Sequence, residues 1–312
     1  MSPGLPASVV AWALAQAKGE RISGVRQEPM SGGTVAARIE RIDISVAAEG
    51  DGPRTVAVVR KWTRPHEILG LEAAQAVRTS AGAIPRLLAR GTAERGPWMI
   101  MPFYAGTTVT NALVPKAVFQ ALAILHAAYA HTCTDLAGIP VVDAGWWRDI
   151  CLSYSLGAVV RQAARSPSPQ LDRARSVLER MADDRRIAEV LEVLPRSLLH
   201  GDVHLGNILV ADGEGVLVDW GSARVGSPIL DLANVASMDS PGFTAYSDAW
   251  RHATGAALDP WAVQLGYRWA EVQIPVQYLA WVVEFRPSAE VGRALDRAEA
   301  ALVALGSHLT AR

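Results

Sequence analysis

The chain has 312 residues, half of them hydrophobic, which is enough to bury a substantial core and long for one compact domain. Its 30 Lys and Arg stand against 31 Asp and Glu, a formal net charge of -1, so no global field points at nucleic acid or an anionic membrane and a small neutral partner is the default. No uninterrupted apolar run reaches the roughly 20 residues needed to span a bilayer.

Residues 1–17 carry Val9, Val10, Trp12, Ala13 and Leu14 but lack a basic leader and are interrupted by Pro3 and Pro6; they read as a short amphipathic helix, not a signal peptide. The two cysteines, Cys133 and Cys151, have no CxxC or Cys/His spacing, which argues against a metal or redox centre and fits a reducing cytoplasm. From residue 28 to 62 the pattern is strand-like: the turn Ser31-Gly32-Gly33-Thr34, an extended run over 35–46, the turn Gly50-Asp51-Gly52-Pro53 and the β-branched run 55–59. Antiparallel pairing is expected there. Leu69, Glu72, Ala73, Ala76 and Val77 then take helical spacing within residues 68–78, and 97–104 form another short apolar strand. The first hundred residues thus predict a small sheet with one helix across it.

After Gly106 the character changes, and residues 114–130, 146–161, 171–181 and 187–194 are helical by period and composition. Residues 165–170, rich in Ser and Pro, are expected to form a mobile loop. The helical pattern breaks at 198–220, where two short strands, 208–210 and 216–218, flank the turn Ala211-Asp212-Gly213-Glu214-Gly215. Residues 229–309 return to helices, with no internal repeat. The chain therefore predicts an α+β protein, with residues 1–104 as one lobe and 105–312 as a second, mostly helical one.

The chemistry is concentrated on the broken segment. It reads His200-Gly201-Asp202-Val203-His204-Leu205-Gly206-Asn207, followed after the hairpin by Val218-Asp219-Trp220-Gly221. Phosphoryl transfer needs a carboxylate beside the attacking hydroxyl and oxygen ligands that hold Mg²⁺ against the phosphates. Asp202 suits the first task; Asn207 and Asp219 suit the second. Any one of them alone is more often a solvated turn or a helix cap, but the joint spacing makes that improbable.

These motifs resemble the aminoglycoside phosphotransferase and choline kinase family, relatives of the protein kinases. The family loop H-G-D-x-H-x-x-N is matched at every fixed position, and its metal strand is matched by Val218, Asp219 and Trp220. The resemblance implies a bilobal protein-kinase-like fold and transfer of the γ-phosphate of ATP or GTP, with Mg²⁺, to a hydroxyl of a small molecule. It further implies that Ser31, Gly32, Gly33 and Thr34 form the phosphate loop, and that Glu72 pairs with a basic residue on the third strand. That residue is Arg60 or Lys61, which face opposite sides of the strand; the position directly after the apolar run favours Arg60, while lysine is the commoner family residue. Met101, Pro102 and Tyr104 correspond to the hinge, where the Pro102 carbonyl and the Tyr104 amide would meet the base. His126, His200 and His204 correspond to supporting positions. Asp231, in a Gly226-Ser227-Pro228-Ile229-Leu230-Asp231-Leu232 segment where the family usually has Asp at the Ser227 position, corresponds to a buried anchor of the catalytic loop.

The interval between Asp219 and Asp231 is too short for a protein kinase activation loop, and no G-x-x-x-x-G-K-[ST] occurs. A non-catalytic nucleotide-binding pseudokinase would be expected to lack one of Asp202, Asn207 and Asp219, and all three are present. The acceptor pocket is expected around Trp147 and in the 269–285 helix, at Glu271, Tyr278 and Trp281. Acidic and aromatic groups there suit an aminoglycoside-like antibiotic, with choline, amino-acid or sugar acceptors as alternatives. The oligomeric state stays open.

Overall fold

A computed structural model of the chain describes residues 4–30, 38–48, 51–77, 82–109, 114–130, 132, 136–211 and 213–310. They fall into two compact units, one of residues 1–125, 137–139 and 200–223, the other of 126–136, 140–199 and 224–312.

The first unit is built on a five-stranded antiparallel sheet of order β1-β2-β3-β5-β4, with β1 Arg21–Met30, β2 Ile39–Ala48, β3 Asp51–Trp62, β4 Ala89–Ala93 and β5 Gly96–Pro102. Helix α1, Ala7–Ala17, buries Val9, Ala13 and Ala17, spaced one turn apart. Those side chains share a core with Ile42, Ile44, Val46, Val58 and Ile100. Burying one such valine contributes about 1.5–3 kcal/mol. The β2 residues in this core are every second one, so α1 covers one face of the sheet and the intervening residues present the other. Strand β3 pairs with β2 so that Arg60 lies opposite Glu40 and Lys61 opposite Ile39. Helix α2, Pro65–Ala76, opens with Pro65 in its first turn, where the missing N–H costs nothing. Strands β8, Ile208–Ala211, and β9, Glu214–Leu217, form the expected hairpin and pair with the short β6, Thr107–Thr108.

Helix α3, Lys116–Tyr129, falls within the range expected from the sequence. In the second unit, α4 Ala144–Asp149 runs through a π-helical turn at Ile150–Ser155 into α5, Leu156–Arg165. Helix α6, Pro169–Ala182, follows α5 after three intervening residues, with the Ser168 hydroxyl accepting from the Leu171 N–H. The expected mobile loop is thus a capped three-residue connection, because Ser168 and Pro169 start a helix there. Helix α7 spans Arg185–Val193. Two strands the sequence did not signal, β7 Ser197–Leu199 and β10 Arg224–Gly226, pair antiparallel. At three residues each they are too short to show alternation.

Helices α8 Pro241–Thr254, α9 Pro260–Gln277, α10 Leu279–Phe285 and α11 Ser288–Thr310 complete the unit. The expected 269–285 helix is divided at Tyr278, three residues after Pro275, whose ring cannot donate to the helix ladder. The Ser155 hydroxyl donates to the Val276 carbonyl at 2.8 Å, satisfying one acceptor near the end of α9. Among the described residues, no helix is long and apolar enough to cross a membrane.

Candidate active site

The loop between β7 and β8 is held by its own histidines. His200 is fully buried, its Nδ1 accepts the Asp202 N–H at 3.3 Å and its Nε2 donates to the Val218 carbonyl at 3.0 Å, which assigns the Nε2–H tautomer. Its ring stands edge-on to Trp220, 4.8 Å between centroids, and the Trp220 indole N–H donates to the Leu217 carbonyl. His204 caps the 3₁₀ turn Leu205–Asn207 by accepting the Gly206 N–H, and its Nε2 lies 3.8 Å from an Asp202 carboxylate oxygen. Asn207 sends its amide N–H₂ to the Asp202 carbonyl at 2.9 Å and to Asp202 Oδ2 at 3.2 Å. That orientation aims its oxygen away from Asp202, as an acceptor or metal ligand.

Beyond β9, Asp219 adopts left-handed backbone angles, φ 64° and ψ 71°. For a non-glycine residue this costs about 1–2 kcal/mol, so the surroundings must hold it. They do. Lys61 Nζ bridges Glu67 Oε1 at 2.6 Å and Asp219 Oδ1 at 2.7 Å. Lys61 is 8% exposed, and burial opposes its charge, yet the Glu67 and Asp219 carboxylates outweigh burial and hold its pKa above the usual lysine value. Burial would likewise raise the Asp219 pKa; the Lys61 charge and hydrogen bond, with the Gly221 N–H, bring it below the ordinary aspartate value. The Asp219 side chain remains 49% open to solvent, so it is held ionised and accessible.

Two expectations need correction. Arg60 does not face this site: by alternation it shares the face of Val58 that α1 covers, lies 3.9 Å from Glu40, and stacks near Trp62 and Trp98 at 5.8 and 5.9 Å. The apolar run before it concealed the alternation, and only the cover on one face reveals the parity. Glu72 does not pair with the third strand either; it meets Arg90 at 2.5 Å. Helix α2 begins three residues before the spacing suggested, which puts Glu67 in its first turn and Glu72 about 140° further round.

The residues missed from the sequence are therefore Glu67, Thr63, whose hydroxyl hydrogen-bonds Glu67, and His66, whose Nε2 meets the Gly221 carbonyl at 2.9 Å. Pro65 as a helix start was the available signal. Gly70 belongs with them, because a Cβ there would come 2.4 Å from the Ala223 Cβ. Alanine ordinarily stabilises a helix by about 1 kcal/mol over glycine. Here overpacking costs about 1–3 kcal/mol, so Gly70→Ala should lower the thermal midpoint. A raised midpoint in a calorimetric scan would show that α2 can shift away from the Asp219 turn.

Elsewhere the predicted residues scatter. Ser31, Gly32, Gly33 and Thr34 lie outside the described residues. Met101 and Pro102 end β5 opposite Val59 and Val58, and the Tyr104 hydroxyl accepts the Arg86 N–H at 2.8 Å. Asp231 is fully buried, its Oδ2 3.3 Å from His126 Nε2, while His126 Nδ1 meets the Tyr246 hydroxyl at 2.9 Å. Trp147 is not available to a substrate: it is 1% exposed, donates its indole N–H to the Met181 carbonyl and packs edge-on to Trp269. Glu271 is exposed and pairs with Arg268 at 2.9 Å; Tyr278 is half-buried; Trp281 is 36% exposed, with the Arg286 guanidinium 4.6 Å over its ring.

Asn207 and Asp219 offer the hard oxygens that Mg²⁺ prefers, and the ion commonly takes only one or two protein ligands beside water and substrate phosphates. Among the described residues no cluster of three or more His, Cys, Asp or Glu could hold a metal.

This arrangement, on an antiparallel sheet followed by a helical C-terminal part, is that of a phosphotransferase with a protein-kinase-like fold. Residues 53–271 match the model of the phosphotransferase enzyme family, more than half of the chain, and the chain belongs to that family. No curated protein matches it in sequence. Among solved structures it is similar to a choline/ethanolamine kinase family protein from Mesorhizobium loti, at 16% identity over 93% of this chain and 92% of that one, TM-score 0.52. It is also similar to choline kinase from Cryptosporidium parvum Iowa II, at 11% identity over 96% and 94%, TM-score 0.51. Spectinomycin phosphotransferase, in complex with ADP and spectinomycin, aligns over 98% of this chain and 99% of that one at 12% identity, TM-score 0.48.

Proposed function

We propose that the chain is a cytoplasmic, ATP- or GTP-dependent O-phosphotransferase that phosphorylates a hydroxyl of a small molecule, with an aminoglycoside-like or other antibiotic as the leading acceptor. The observation that carries this reading is the Lys61 bridge between Glu67 and Asp219, in the same unit as a loop where Asn207 holds Asp202. In this reading Asp202 orients the acceptor hydroxyl and takes its proton as the new O–P bond to the γ-phosphorus forms and the bond from that phosphorus to the β–γ bridging oxygen breaks, releasing ADP or GDP. Lys61, kept charged by two carboxylates, grips the α- and β-phosphates. Asn207 and Asp219 would hold Mg²⁺, which when bound neutralises charge on the phosphates. Residues 1–104 would carry the nucleotide, with Ser31 to Thr34 over the phosphates and the main chain of Met101, Pro102 and Tyr104 at the base; residues 105–312 would carry the acceptor.

The acceptor reading is supported by exposed acidic and aromatic groups, Glu271 and Trp281. An aromatic face attracts a cation, so a quaternary amine such as choline is the second reading, one that would displace the Arg286 guanidinium from the Trp281 ring. A coupled ADP-release assay across antibiotics, amino alcohols and sugars tests both. Turnover should vanish with EDTA and return with Mg²⁺, and Asp219→Asn should lose metal-dependent nucleotide binding. Full activity without divalent metal would contradict the metal assignment. Nucleotide binding with no ADP release for any acceptor would make the chain a non-catalytic binding module.

A further inference from the structure

Helix α2 reaches the Asp219 turn through more than the lysine bridge. His66 Nε2 meets the Gly221 carbonyl at 2.9 Å, and the Gly221 N–H in turn hydrogen-bonds the Asp219 carboxylate. Gly221 is wedged into place: a Cβ on it would stand 3.2 Å from Asp219 Oδ1 and 3.5 Å from Glu67 Oε2. Neighbouring Glu67 acts on Asp219 from the other side through Lys61, and Gly70, one turn along the helix, lies against Ala223 at the end of the same turn. The first turns of α2 thus hold residues 219–223 at three points, and the middle one is a hydrogen bond to the residue that orients the carboxylate.

We propose that His66 is a positioning residue for Asp219: by fixing Gly221 it keeps the strained, left-handed Asp219 turned so that its carboxylate presents one face to the metal while Lys61 holds the other. The proposal rests on the reading of Asp219 as a metal ligand. Without the His66 bond the turn can relax toward unstrained angles, and the carboxylate loses its N–H partner. The net worth of one hydrogen bond corresponds to about a 2- to 12-fold change in an equilibrium constant.

The test is Mn²⁺ affinity, followed by electron paramagnetic resonance on the full chain with a non-hydrolysable triphosphate analogue. Two variants separate the hydrogen bond from packing: His66→Phe keeps the ring but has no N–H, and His66→Gln carries an N–H at similar reach. We expect His66→Phe to weaken Mn²⁺ by about 3- to 10-fold, with analogue affinity in EDTA unchanged, and His66→Gln to restore it. Equal Mn²⁺ affinity in the two variants, or a Phe variant as tight as the unaltered chain, would overturn the proposal. Asp219→Asn is measured alongside. If it too leaves Mn²⁺ affinity intact, the metal role of Asp219 is what fails; if it alone abolishes binding, the failure belongs to His66.

Discussion

Replacing Asp202 by alanine should lower turnover by about 100- to 10,000-fold while nucleotide affinity stays near that of the unaltered enzyme. The range is the usual contribution of a general base, and lost positioning of the hydroxyl adds to it. The substitution leaves two backbone contacts of the loop in place. Asn207 still donates to the backbone carbonyl of residue 202 at 2.9 Å, and His200 still accepts its N–H, while the 3.2 Å side-chain bond from Asn207 and the 3.8 Å approach of His204 are lost. A fall in kcat with unchanged nucleotide binding by calorimetry would therefore report chemistry and not a collapsed loop. Turnover within a few-fold of the unaltered enzyme would remove Asp202 from the reaction.

Lys61→Ala should lower kcat/KM for the nucleotide by about 100-fold or more, the scale seen when one preorganised electrostatic contact to reacting groups is removed. Arg60→Ala should stay within about 3-fold, because a guanidinium lying by Glu40, Trp62 and Trp98 contributes packing on the opposite face. Lys61→Ala also strands Glu67, whose side chain is 2% exposed, and breaking a buried pair from one side costs about 3–5 kcal/mol. Activity loss must therefore be read on enzyme shown to be folded by circular dichroism at the assay temperature. A larger loss from Arg60→Ala would mean that β3 presents its other face to the nucleotide.

The chemistry-bearing loop was legible because its residues are close in sequence. Asp202, Asn207 and Asp219 fall within 18 positions of each other, and a tight loop plus one hairpin leaves few ways to arrange them. The histidines His200 and His204 were legible for the same reason, each bonding within its own loop or hairpin. The sheet and the main helices followed from alternation and from 3.6-residue spacing, while the three-residue strands β7 and β10 offered no period to detect.

What the sequence by itself determined is the phosphotransferase constellation and the α+β class, because local spacing and hydrophobic period are written along the chain. Which strand residue completes the constellation was decided only by tertiary structure. Arg60 and Lys61 are interchangeable to a reading of β3 alone; α1, far away in sequence, covers the face of Val58 and so turns Lys61 toward Glu67 and Asp219. Glu67 was missed although Pro65, which starts the helix three residues before the spacing suggested, was a local signal for its place over the strand. A shift of one residue in a strand reverses the facing side, and only packing across elements distant in sequence settles that choice.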